Sequence, residues 1–153
     1  MAEDTNQLRV RLVTPERTLF DHPADAVELP AKNGYMEVLY GHAPLLAELG
    51  AGDVIVHGGS TAEQSTESAS PAGDVRYNVN WGFVEVLGDR VTILASDALK
   101  PEEIDVPRAE QQLDRGQKMW NEAGESEDAY TDALRVIAEA EAKIASAAEV
   151  GKH

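Results

Sequence analysis

The sequence predicts a chain in two parts: an antiparallel β-sandwich or barrel over residues 1–100, then an antiparallel α-helical hairpin over residues 101–153. Three observations predict it. Apolar residues recur at every second position through the first hundred residues. Beyond Leu99 the period becomes that of a helix. The change is followed by Asp105 and Pro107, residue types that open helices. At 153 residues the chain can bury about 68–70% of its unfolded surface, enough to fold without covalent staples.

Leu8, Val10 and Leu12 alternate with Arg9 and Arg11, as in a half-buried strand. Residues 26–29, 36–39 and 54–57 read the same way. Tyr77, Val79 and Trp81 alternate with Asn78 and Asn80, which assigns Trp81 to the core. Residues 83–86 and 91–95 form a hairpin turned at Gly88-Asp89. Asn33-Gly34 suits the centre of a type I′ turn, where both residues need positive φ. Tyr35 beside it is a candidate exposed anchor, and Met36 is assigned to the core. Residues 61–74 are nearly all Ser, Thr, Glu, Gln, Ala and Gly, and their lack of an apolar period reads as a mobile hairpin tip.

Asp105 is the N-cap of the first helix, with Ala109, Leu113 and Trp120 near one face. Gly124 and the acidic run Glu125-Ser126-Glu127-Asp128 break it. A second helix runs from about Ala129 to Val150, with Ala133, Ile137, Ala140, Ile144 and Ala147 on one stripe. Alanines there allow a close partner, and the short connection makes the two helices antiparallel neighbours about 25–30 Å long.

Composition excludes more than it identifies. Thirteen Lys+Arg stand against twenty-eight Asp+Glu, a net charge of -15, so nucleic acid is a poor partner. No cysteine is present for a disulfide, a thiol nucleophile or a thiolate metal site. No apolar run approaches the roughly 18 residues of a membrane span, and the chain reads as soluble, acidic and cytosolic. His22, His42, His57 and His153 are scattered, with no pair on one helical turn for a metal. His57-Gly58-Gly59 looks like an oxyanion loop, yet no G-x-S-x-G accompanies it, so it is read as a strand-end turn. No phosphate loop appears. The residues describe a non-enzymatic interaction protein, with no catalytic residue and no metal.

A larger pattern narrows this. Val13-Thr14-Pro15-Glu16-Arg17 is followed by Phe20, Ala24-Asp25 and Leu29-Pro30, then by Gly34, Val38-Leu39 and Gly41-His42-Ala43-Pro44-Leu45-Leu46. Gly82-Phe83-Val84-Glu85-Val86, Val91-Thr92-Ile93-Leu94-Ala95 and Ile104-Asp105-x-x-Arg108-Ala109 come after. In this order and spacing the chain closely resembles epsilon subunits of bacterial rotary (F-type) ATP synthases, over nearly all its length except residues 61–74 and the last few.

The resemblance implies a flattened antiparallel β-sandwich followed by the helical hairpin. It implies a non-catalytic rotor (central-stalk) subunit of a proton-translocating synthase, joining the gamma shaft to the c-ring. No cofactor is required. The hairpin can regulate ATP hydrolysis, acting on the catalytic beta subunit. The subunit would be peripheral, at the cytoplasmic face of the inner (plasma) membrane, and held there only through the complex. By position, Lys32, Asn33, Gly34 and Tyr35 would face the c-ring, and His42, Ala43 and Pro44 the gamma subunit. His42 would equally serve to fix its own loop. Asp105, Arg108, Ala109 and Arg115 match positions that hold ATP in nucleotide-binding members. They make ATP a regulatory ligand and a nucleotide-sensing module the alternative function. Leu99, Glu139 and Lys143 depart from that pattern. Residues 105–153 carry six Lys+Arg and eleven Asp+Glu, 6 − 11 = −5, which predicts weak or differently keyed inhibition.

Overall fold

The computed structural model describes residues 7–58 and 73–150. The chain divides into two compact units, Met1–Lys100 and Pro101–His153. The first is all β: β1 (Leu8–Val13), β2 (Thr18–Ala24), β3 (Ala26–Ala31), β4 (Gly34–Leu39), β5 (Leu45–Leu49), β6 (Gly52–His57), β7 (Val75–Leu87) and β8 (Arg90–Leu99).

The hydrogen-bonded path runs β2-β1-β8-β7-β5-β3-β4, with β6 bridging β3 and β7. β7 makes the sandwich: its first half pairs with β6 and its second with β5, so one long strand serves both layers. Every pair is antiparallel except β1 with β8, which is parallel and lays the first strand beside the last. Between the layers lies a core that includes Leu8, Val10, Leu12, Phe20, Leu29, Val38, Val54, Val84 and Ile93, each under 2% exposed. Phe20 meets Tyr77 edge-on at 6.5 Å, and the Tyr77 hydroxyl donates to the Leu19 carbonyl at 3.1 Å, tying β2 to β7.

Sequence alternation does not foresee what happens inside β7. Tyr77 and Val79 are buried at odd positions, whereas Val84 and Val86 are buried at even ones. One change of phase must therefore be absorbed between them, since side chains alternate with period two. Trp81 and Gly82 absorb it, with φ values of 46 and 136. The Trp81 N–H leaves the ladder to donate to the Gly50 carbonyl at 3.1 Å. The register with β8 is the same on either side of the kink, Asn80 with Asp97 and Gly82 with Ala95, so the two strands turn over together, and Trp81 leaves the core position assigned to it: its side chain is half-buried.

The turn after β3 also differs from expectation. Ala31 pairs with Gly34, so Lys32 and Asn33 are the two turn residues, and Gly34 opens β4 at φ 135. Asn33 keeps a negative φ, so the turn is not type I′ centred on Asn33-Gly34. At Gly88-Asp89 the turn is as expected, between the paired Leu87 and Arg90, with only Gly88 at positive φ (65), the type II′ pattern. Met36 packs against the core and Tyr35 is 65% exposed. Of the segment 61–74 only Gly73 and Asp74 fall within the described residues.

The second unit begins with a 3-10 turn (Pro101–Glu103), followed by α1 (Val106–Glu122) and α2 (Glu127–Val150). Asp105 caps α1: its Oδ1 accepts from the Arg108 N–H at 3.2 Å. Gly124 at φ 60 makes the turn. Ser126 caps α2 through the Ala129 N–H, so Glu127 and Asp128 belong to the first turn of the helix, where negative charge complements its dipole, not to the break. With 24 residues α2 is about 36 Å long, longer than expected. Ala133 and Ala140 are buried along the expected stripe, with Ile137, Ile144 and Ala147 partly so. Opposite them Gly116 is buried in α1, where a Cβ would come 2.7 Å from Ile137 Cγ1. Gln112 Nε2 donates to the Val136 carbonyl at 3.4 Å and to Glu139 Oε2 at 3.1 Å, and Trp120 meets Tyr130 edge-on at 4.5 Å.

Candidate functional site

The residues expected at partner surfaces lie in two loops of the sandwich and at the start of β4, where Gly34 and Tyr35 stand. Lys32 and Asn33 form the β3–β4 turn. It is pinned from both sides: Lys32 N–H donates to the Glu48 carbonyl and Lys32 Nζ pairs with Glu48 Oε2, both at 2.9 Å. Tyr35 presents an exposed ring while its hydroxyl accepts from the Asp53 N–H at 3.1 Å. An aromatic face held by one polar tether suits a surface contact.

His42, Ala43 and Pro44 lie between β4 and β5. The His42 Nδ1–H donates to the Ala43 carbonyl at 2.7 Å, and its backbone N–H donates to Leu39 O at 3.1 Å. Ala43 and Pro44 are exposed. The histidine thus fixes the backbone of the loop that presents its neighbours.

On α1 the four candidate nucleotide residues are not gathered into one cavity. Asp105 spends its carboxylate on the cap, and Ala109 is buried with its N–H on the Asp105 carbonyl at 3.0 Å. Arg108 and Arg115 are exposed. Arg115 lines a cleft of about 570 Å³, which it shares with Asp114 and Lys118. Glu139 Oε2 accepts from Gln112 Nε2 at 3.1 Å.

His57 has no oxyanion geometry. Its Nδ1 lies 3.0 Å from Asp74 Oδ2 and its Nε2 3.5 Å from Glu28 Oε1, while Gly58 N–H donates to Asp74 Oδ1 at 3.3 Å. These contacts clamp residue 58 to residue 74, a structural duty. Among the described residues no group of three or more His, Asp or Glu side chains is placed to hold a metal. No described helix is long and apolar enough to cross a membrane.

One feature escaped the sequence reading. β-Registry places Val13, Leu94, Phe83 and Glu48 side by side on the outer face of β1, β8, β7 and β5. Phe83 is 51% and Leu94 50% exposed, and Leu46, on the next rung, is 70% exposed. Residues 83–86 and 91–95 are apolar on both parities, so periodicity alone could not say which face was solvent-facing. Knowing the kink at Trp81-Gly82 would have told it.

A family model for the β-sandwich domain of the ATP synthase delta/epsilon chain matches residues 7–101. The ATP synthase epsilon chain of Solibacter usitatus is 38% identical over 141 residues, 92% of this chain and 95% of that one. The chain belongs to the ATP synthase epsilon-chain family. It is therefore an accessory, non-catalytic subunit of the ATP synthase. The epsilon chain of Koribacter versatilis is 39% identical over 114 residues, 74% of this chain and 71% of that one. The fold is shared with a chain of the Euglena gracilis mitochondrial ATP synthase (OSCP, F1 and c-ring, rotational state 1). There the TM-score is 0.68 at 20% identity, covering all of this chain and 88% of that one. A chain of the Tetrahymena thermophila mitochondrial ATP synthase central stalk and c-ring gives 0.63 at 16% identity, covering 92% and 96%.

Proposed function

We propose that this epsilon-family chain couples rotation within the stalk, its sandwich holding the gamma shaft on one side and the c-ring on the other, in the service of ATP synthesis and proton transport. The observation that carries the reading is the row of half-buried Val13 and exposed Leu94 and Phe83, with exposed Leu46 beside it: apolar side chains set in register on a sheet of an otherwise strongly acidic chain. Such a patch fits the desolvated core of a protein interface. His42, Ala43 and Pro44 extend the gamma-facing surface. Lys32, Asn33, Gly34 and the exposed Tyr35 serve the c-ring side. The chain is then peripheral, at the cytoplasmic face of the inner (plasma) membrane, and held only through the complex. Its hairpin, at a net of −5, inhibits hydrolysis weakly or in a differently keyed way.

The α1 cleft with Arg115 and Lys118 favours a second, regulatory reading, ATP as a ligand of the hairpin.

Reconstitution tests the main reading. Membranes whose synthase lacks its own epsilon subunit should regain coupled ATP synthesis when this chain is added, and a chain ending at residue 104 should restore coupling equally. Failure of the full chain to restore synthesis would refute the rotor role. For the second reading, Arg115→Gln should abolish ATP-dependent stabilisation of the hairpin; unchanged stabilisation would remove it.

A further inference from the structure

Two rungs along the same sheet face from the apolar row lies a cleft of about 470 Å³ lined by Arg9, Arg11, Asp21, Asp89, Arg90 and Thr92. Three of the thirteen cationic side chains of a chain with net charge −15 converge there. Their register is unusual. Arg9 and Arg90 are direct cross-strand partners on β1 and β8, and like charges set opposite each other destabilise a sheet. Arg11 stands opposite Asp21 on β2, yet Asp21 Oδ1 pairs with Arg9 Nε at 2.8 Å, and the Asp21 carbonyl accepts from the same guanidinium at 3.4 Å. Among the described residues, Arg11 and Arg90 have no carboxylate within ion-pair distance. Thr92, half-buried and opposite Arg11, adds a hydroxyl.

We propose that this cleft binds a small soluble phosphate-bearing anion. Two guanidinium forks on neighbouring strands, without an ion pair among the described residues, can each present parallel N–H donors to phosphate oxygens, and the Thr92 hydroxyl can add another. A concavity of this volume suits a small molecule, whereas an acidic protein segment would need a broader complementary surface. Arg9 ties β1 to β2 through Asp21, whereas Arg90, set opposite it, gains no ion pair among the described residues, so the sheet holds Arg90 at the expense of its own stability. The site lies wholly within the sandwich and does not depend on the rotor reading.

The full chain is titrated with inorganic pyrophosphate at low and then moderate salt, following backbone and guanidinium Nε–H resonances. Resonances of Arg9, Arg11, Arg90 and Thr92 should shift along one saturable curve, while those of Arg108 and Arg115 do not follow it. Arg11→Gln/Arg90→Gln should weaken binding at least about tenfold. Without the anion its Tm should equal or exceed that of the parent, which also shows that it folds; pyrophosphate should raise the Tm of the parent alone. The proposal is overturned if all exposed cations shift alike, if the double variant binds as tightly as the parent, or if vesicles of anionic phospholipid bind while pyrophosphate does not.

Discussion

Gly82→Ala should unfold the sandwich far more readily than Gly34→Ala, although the two glycines have nearly the same φ, +136 and +135. A methyl group on Gly82 would fall on the carbonyl oxygen of Leu94 and come 2.9 Å from its carbonyl carbon. These are backbone atoms of β8, and Gly82 is paired on both sides, with Ala95 in β8 and Leu49 in β5. On Gly34 the same methyl meets nothing within 4 Å. Both changes carry the strain of an alanine at positive φ, about 1–3 kcal/mol. Only Gly82→Ala must also push β8 out of register, losing one or two ladder hydrogen bonds at about 1 kcal/mol each and loosening the packing beneath by about 1 kcal/mol more. The expected excess is about 2–3 kcal/mol. In urea denaturation followed by near-UV circular dichroism, a slope of about 1.5 kcal/mol/M converts this to a midpoint about 1–2 M lower for Gly82→Ala than for Gly34→Ala. If the two variants agree within about 0.5 kcal/mol, the close approach of β7 to β8 is not what requires glycine there.

Arg76→Ala should destabilise the sandwich by about 1–2 kcal/mol: Arg76 Nη1 pairs with Asp53 Oδ2 at 2.8 Å, Asp53 is 7% exposed, and solvent screens the partly exposed arginine. Asp53→Asn, which keeps an oxygen for Asn78, should cost about half as much; equal losses in urea midpoints would count against a charge-based role. Asp105→Ala should lower hairpin stability by about 1 kcal/mol while Asp105→Asn, able to accept from the Arg108 N–H, should cost only a few tenths, as read by thermal far-UV circular dichroism. A loss for both would point to a role other than capping. Gly116→Val should loosen the α1–α2 seam by about 2–3 kcal/mol, because even a Cβ would reach 2.7 Å from Ile137 Cγ1; an unchanged helical melting curve would refute the close approach.

Much of the fold was legible because its layers obey simple periods. Leu8, Val10 and Leu12 announce β1, and the alanine–isoleucine stripe of α2 announces the hairpin seam. Two strands were not legible. β2 contains Pro23, tolerated because β2 ends the sheet and pairs only with β1, and β5 is the short run Leu-Leu-Ala-Glu-Leu, which has no clear strand signal. The phase change in β7 was invisible because it depends on Trp81 adopting φ 46, a conformation set by the Gly50 carbonyl of a distant segment. Gly116 was likewise silent, since its value lies in what Ile137 occupies. Of the candidate site, motif order points to Lys32 and His42 but not to the contacts that hold them, the Lys32–Glu48 pair and the His42 bond to the Ala43 carbonyl. The apolar row could not be read from sequence, because it is assembled by register between four strands.

The most direct test of the central claim is co-elution of the full chain, at moderate salt, with a gamma-containing catalytic head stripped of its own epsilon subunit. A one-to-one complex is predicted for the parent chain, and Phe83→Asp/Leu94→Asp, changes at exposed positions, should remain folded yet fail to co-elute. Absence of a complex with the parent chain, or undiminished co-elution of the double variant, would contradict the assignment of the apolar row as the surface that joins this chain to the stalk.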